Sequence, residues 1–189
     1  DGNEFIDYIC GLGPITLGYH YPATDQAIIE QLNKGVIFSM SSPLEAELAE
    51  RLISIIPCAE MVRFLKTGSE ACQAAIRVAR AYTGRDHIAF RGYHGWHEWY
   101  ACQSDRPLGI PSDYKKYIHE FQYNDIESLH NILLSYEIAA VIMEPMIVDP
   151  PELGFLNSVT SLCNRYGALL IYDETVTGFR WSLGGAQEY

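Results

Sequence analysis

The sequence predicts an α/β fold, a mainly parallel sheet with helices on both faces, following an irregular N-terminal segment. Two apolar runs and one recurring pattern predict it. Ala168-Leu169-Leu170-Ile171-Tyr172 runs unbroken into Asp173 and Glu174, and Ala139 to Met143 runs into Glu144. Such runs without alternation read as strands buried on both faces, as in a parallel sheet. From Met61 the chain takes the form strand, glycine turn, helix. In open α/β sheets ligands bind outside the carboxyl ends of the strands. Asp173, the first charge past its run, is therefore expected to face a crevice. A carboxylate there is costly unless a cationic or hydrogen-bonding partner meets it.

The elements follow in order. Asp1-Gly2-Asn3 is a turn and Phe5 to Ile9 a short strand. Gly11 to Pro22 is rich in glycine, proline and aromatics, but Thr16 stands where a dinucleotide fingerprint needs its third glycine. Asp25 to Asn33 reads as a short helix with Ala27, Ile28 and Leu32 on one face. Ser42 then caps a core helix, with Pro43 in its first turn and Glu45 completing a capping-box pattern; Leu44, Leu48, Leu52 and Ile55 follow at helical spacing. Met61 to Leu65 is a strand, and a helix from about Glu70 to Tyr82 presents Ala71, Ala74, Ala75, Val78 and Ala79 to the sheet. His87 to Phe90 is a strand leading into the aromatic cluster at 93–100, and Tyr117 to Phe121 is another. A helix over Asp125 to Tyr136, the strand ending at Glu144-Pro145, and a helix over Leu156 to Tyr166 lead back to Asp173.

Composition narrows the function. A hydrophobic fraction of 48% suits a folded globular chain, and 189 residues suffice for one sizeable core. Thirteen Lys and Arg against 24 Asp and Glu give a net charge of -11, with no basic cluster to form a nucleic-acid footprint. The five cysteines are scattered without a C-x-x-C pair, which favours free thiols in a reducing cytoplasm. No apolar run approaches a membrane span and no leader opens the chain. The opening DGNEFIDY reads as a strand already under way, so the chain is expected to begin inside a longer sequence.

Three constellations carry possible chemistry. Thr67-Gly68-Ser69-Glu70 places a glycine and a hydroxyl at a helix N-terminus, a ready phosphate site; the alternative is that Ser69 is an ordinary N-cap. Tyr93, His94, Trp96, His97, Glu98, Trp99 and Tyr100 follow a strand and offer faces for stacking on a planar ring, or a purely structural aromatic loop. Their spacing matches neither H-E-x-x-H nor its inverse, which ranks metal below stacking. Glu144 and Asp173 end buried strands and are open to acid–base work, to metal, or, for Asp173, to holding a protonated ring nitrogen that it would turn into an electron sink.

In this order, the segments DGNEFIDY, Thr67 to Asp86, Gly92 to His97, Met143 to Pro145 and Tyr172 to Arg180 resemble the class III, fold-type I aminotransferases that use pyridoxal 5'-phosphate, and most of all their glutamate-1-semialdehyde aminomutase branch. The resemblance implies that residues 46–189 form part of the large cofactor-binding domain. It implies that residues 1–45 form an N-terminal segment on the substrate and dimer-interface side. Gly68 and Ser69 would bind the cofactor phosphate, Tyr93 would stack on the ring with His94 beside it, and Asp173 would pair with the ring nitrogen. Glu144 would be an acid near the ring and substrate. Thr175 stands where the signature usually has a β-branched apolar residue, and its methyl would pack on the ring. The partners implied are a small-molecule amino donor and acceptor and a second copy of the chain, with no nucleic acid and no membrane.

The family's Schiff-base lysine is expected beyond Tyr189. Lys34, Lys66, Lys115 and Lys116 all lie outside its sequence context. The chain is thus expected to be a fragment, inactive alone, with apolar sheet edges left exposed. The alternatives are a non-catalytic module that binds the cofactor or its phosphate, and a metal-dependent hydrolase built on His94, His97, Glu144 and Asp173. The segment after Glu144-Pro145, MIVDPPELG, leaves the substrate open.

Overall fold

A computed structural model describes residues 2–189, so the turn expected at Asp1-Gly2-Asn3 begins outside the described residues. The helices are α1 (Pro22–Leu32), α2 (Pro43–Ile55), α3 (Gly68–Thr83), α4 (Glu98–Ala101), α5 (Ile126–Ser135) and α6 (Phe155–Tyr166). The strands β1 (His87–Arg91), β2 (Ile118–Glu120), β3 (Ile138–Met143) and β4 (Leu169–Tyr172) form one parallel sheet in the order β2-β1-β3-β4. α5 carries the chain from β2 past β1 to β3, and α6 carries it from β3 to its parallel neighbour β4.

Every residue of β3 is buried, which accounts for the unbroken run Ile138 to Met143. The corresponding expectation for β4 is corrected. Its residues are only partly buried, because β4 is an edge strand among the described residues and has one sheet neighbour, β3. Alternation sorts the rest into two layers. Val141 and Met143 meet Leu129 and Leu133 of α5 and Val159 and Cys163 of α6. Ile88, Phe90 and Ile142 meet Cys72 and Ile76 of α3 and Trp99 of α4 on the other face. A register slip interrupts the alternation once. His87 pairs with Ile138 but Ile88 pairs with Ala140, so Ala139 is the extra residue of a bulge and joins Ala140 in the same layer.

Capping fixes the helix boundaries. Asp125 accepts the Ser128 N–H at 3.0 Å to start α5, and Gly84 and Gly167 end α3 and α6 at φ +70° and +64°. α1 begins three residues before the expected Asp25, because Pro22 brings a helical φ to its first turn. The sheet-facing stripe of α3 is Cys72, Ile76 and Ala79, so of the five residues expected only Ala79 is buried. Val78 is 64% exposed. In so alanine-rich a helix Ile76 is the residue worth burying, and it sets the phase.

The N-terminal expectations hold least well. Neither Phe5–Ile9 nor Met61–Leu65 is a strand, and neither has a ladder partner among the described residues. Around Phe5–Ile9 the backbone turns instead, with Asp7 Oδ1 accepting the N–H groups of Ile9 and Cys10. α2 is not a core helix: Leu44 and Leu48 are half exposed and none of its residues is buried. Ser42 does cap it, accepting the Leu44 N–H at 3.3 Å, but without the return bond from Glu45 that a capping box requires. No helix among the described residues is long and apolar enough to cross a membrane.

Leu129 is wholly buried between α5 and the sheet. Leu129→Ala should cost about 2–5 kcal/mol in urea unfolding. A loss below about 1 kcal/mol would place the core elsewhere.

Candidate active site

Parallel register brings the carboxyl ends of β1, β3 and β4 to one edge. Arg91 lies beside Met143 and Met143 beside Tyr172, and the ladder extends one step further through Glu144 N–H to Arg91 O (3.2 Å) and Asp173 N–H to Met143 O (2.8 Å). The two strand-end acids therefore share one edge with the turn that follows β1. Two glycines let that turn close on its neighbours. A Cβ on Gly92, at φ +104°, would lie 2.5 Å from Glu144 Oε1. One on Gly95, at φ +92°, would lie 3.0 Å from Ser69 Cα. Between them, the Tyr93 N–H donates to Glu144 Oε1 at 2.8 Å.

The opposite wall is the start of α3. Thr67, not Ser69, is the N-cap: its hydroxyl accepts the Glu70 N–H, and the Glu70 carboxylate accepts the N–H groups of Lys66 and Thr67. This corrects the N-cap reading of Ser69. No protein acceptor or donor meets the Gly68 and Ser69 N–H groups or the Ser69 hydroxyl among the described residues. They border the cavity with a helix N-terminus behind them, the arrangement that favours an anion.

Asp173 lies at the base, 7% exposed. His94 Nδ1 meets its Oδ2 at 2.8 Å and the Cys72 thiol donates to the same oxygen at 3.3 Å. Thr175 donates to Oδ1 through its N–H (3.0 Å) and its hydroxyl (2.5 Å). Burial pushes the Asp173 carboxyl up, but the hydrogen bonds from His94 and Thr175 outweigh it and hold the group down at about 2. Glu144 goes the other way: burial raises it, only partly offset by the Tyr93 N–H. One acid is held below the ordinary carboxylate range and its neighbour is raised above it, so the two environments push the pair apart.

His94 is buried beneath the cavity, stacked on Trp99 at 6.0 Å between ring centroids, with Nε2 3.1 Å from Arg91 O. Both its nitrogens face oxygen atoms, Asp173 Oδ2 on one side and Arg91 O on the other. Tyr93, by contrast, is 68% exposed, its ring set edge-on to Tyr100.

One cavity of about 240 Å³ unites the nominated residues. Gly68, Ser69, Tyr93, His94, Glu144, Asp173 and Thr175 all line it, joined by Thr67, Gly95 and Val176. His97 and Glu98 do not. The metal-type donors that come together among the described residues are Cys72, His94 and Asp173, which already hydrogen-bond to one another. The roles of Cys72, Gly92 and Gly95 were missed from sequence. The glycines sit at a strand end, where a positive φ is a common need, but nothing local marks Cys72 as facing an acid 101 residues away.

The sequence profile of the family Aminotransferase class-III matches residues 1–186. The chain belongs to the class-III aminotransferases. Among the relatives of this family member, 3-aminobutyryl-CoA aminotransferase of Cloacimonas acidaminovorans is 46% identical, matching all of this chain and 47% of its own length. Glutamate-1-semialdehyde 2,1-aminomutase of Desulforamulus reducens is 42% identical, again over the whole chain and 48% of its own length. A transaminase solved with PLP bound superposes at a TM-score of 0.89 and 29% identity, over 97% of this chain and 47% of that one. The α/β fold with its parallel sheet is thus that of this family, and the chain spans about half the length of the curated relatives it matches.

The depressed Asp173 group makes a pH prediction. Its folded value of about 2 lies below the ordinary 3.8, so its stabilisation is complete above pH 4 and is lost as pH falls through 2. The parent should lose roughly 2 kcal/mol of stability over that window in acid-dependent urea unfolding, and Asp173→Asn should lack this component. Equal acid sensitivity in the two proteins would contradict the hydrogen-bonded anion.

Proposed function

We propose that this chain binds pyridoxal 5'-phosphate and forms the cofactor-holding half of an enzyme that transfers an amino group, either an aminotransferase or a 2,1-aminomutase. The observation that carries the proposal is the pairing of opposite electrostatic ends in one cavity. The Gly68 and Ser69 N–H groups at the start of α3 suit a phosphate, and the anionic Asp173 suits a protonated ring nitrogen. These residues fit the cofactor: the N–H groups at the start of α3 have no partner among the described residues, and Asp173 lines the same cavity as an anion. The PLP-bound transaminase of the same fold supports the same reading.

When bound, pyridoxal phosphate supplies an electrophilic carbonyl and a cationic ring that accepts an electron pair from the substrate carbon. The chain's own residues hold and orient it. Asp173 would keep a proton on the ring nitrogen through a charge-assisted bond, His94 and Thr175 keep Asp173 ionised, and Tyr93, which lines the cavity, would lie beside the ring. Ser69 and Gly68 anchor the phosphate. Glu144, raised by burial, is placed to hold or release a proton on the substrate side. Residues 1–45 are assigned to the N-terminal segment and 46–189 to the cofactor domain, with a second copy of the protein as partner and a small amino compound as substrate. The setting proposed is cytoplasmic.

A second reading, binding without group transfer, is favoured by one observation: none of Lys34, Lys66, Lys115 and Lys116 lines the cavity. Fluorescence titration with pyridoxal phosphate tests both. Saturable binding that inorganic phosphate reverses is expected. Asp173→Asn should weaken it by about 10- to 100-fold and Ser69→Ala by a few-fold. Absence of binding to the parent protein would overturn both readings. A borohydride-stable adduct on one of the four lysines would overturn the second.

A further inference from the structure

Thr175 does something at this site that a β-branched apolar residue cannot. Asp173 receives four donors, two on each oxygen, and the Thr175 hydroxyl makes the shortest of these contacts at 2.5 Å. That is the range of a charge-assisted O–H to carboxylate bond. Three of the four donors do not depend on which side chain stands at 175: His94 Nδ1, the Cys72 thiol and the Thr175 backbone N–H. They hold the carboxylate in place by themselves, so the hydroxyl adds an electronic effect to an orientation already set. Its own rotamer is confined. A Cβ on Gly68 would lie 3.0 Å from Thr175 Oγ1 and 3.2 Å from Cγ2, so both branches press on the first turn of α3. The other groups facing the carboxylate are His94 from the β1 turn, Cys72 from α3 and, at longer range, Glu144 from the end of β3.

We propose that Thr175 is a positioning residue that acts through Asp173: by donating its hydroxyl to Oδ1, it makes the carboxylate a weaker proton acceptor and so moderates its hold on the ring nitrogen. The proposal rests on the reading of Asp173 as the ring's partner. An electron sink must hold its proton, yet Asp173 is buried and shielded from water, where an anion with few donors is a strong base. The hydroxyl draws off part of that basicity while leaving the charge.

The test compares Thr175→Val and Thr175→Ala, which lack the hydroxyl, with Thr175→Ser, which keeps it. The first readout is the Asp173 carboxyl carbon, followed by 13C NMR across acid pH in the protein without cofactor. Valine and alanine should each raise its midpoint by about one pH unit, with serine close to the parent. Alanine removes the hydroxyl without adding bulk, so a folding defect peculiar to valine leaves the test intact. The second readout is the affinity for pyridoxal phosphate relative to its 1-deaza analogue, which lacks the ring nitrogen. That ratio should rise several-fold in valine and alanine and stay at the parent value in serine. Unchanged midpoints in both hydroxyl-free variants, or a ratio that falls, would overturn the proposal. A parent protein that binds the two compounds equally would instead overturn the reading of Asp173 as the ring's partner, whatever the midpoints do.

Discussion

The site depends on one buried carboxylate. Asp173 stands at the end of β4, nearly out of reach of water, and an uncompensated anion there would cost several kcal/mol. Three separate parts of the chain prevent that cost. The turn after β1 brings His94, the first turns of α3 bring Cys72, and the two residues after Asp173 itself bring Thr175. Each donor requires its element to be where it is, so the hydrogen bonding of the carboxylate and the packing of the sheet edge are one constraint.

Close backbone approach is the second half of that constraint. Gly92 and Gly95 let the β1 turn reach Glu144 on one side and Ser69 on the other, where a side chain on either glycine would meet an atom at 2.5 Å or less. The turn consequently links the phosphate-suited start of α3 to the acids at the strand ends. The same segment buries His94 and exposes Tyr93, adjacent residues with opposite environments. One supports the anion from below while the other lines the cavity.

The central elements could be read from the sequence because their burial is regular. β3, α5 and α6 have uninterrupted or helically spaced apolar residues and clear caps, and their expected spans agree with the structure within about two residues. The failures lie where a residue's state depends on partners distant in the chain. Phe5–Ile9 and Met61–Leu65 have strand-like composition, but a strand needs a neighbour to bond to, and composition carries no information about that. β4 reads as doubly buried from its apolar run, yet it has one neighbour among the described residues. The site residues were legible because their motifs are local: Gly68-Ser69, Tyr93-His94, and acids at the ends of apolar runs. The capping of α3 by Thr67, which leaves Ser69 unused, was legible in Thr67-x-x-Glu70 but was masked by a serine two positions on. The thiol of Cys72 on Asp173 left no trace in the sequence.

Asp173 is proposed to stay an anion in order to hold a proton on a ring nitrogen. The most direct measurement is the 15N chemical shift of pyridoxal phosphate labelled at the ring nitrogen and bound to the protein near neutral pH. A shift in the protonated-pyridinium range, moving to the neutral-pyridine range in Asp173→Asn, is the result expected. A neutral-pyridine shift in the parent protein would contradict the account.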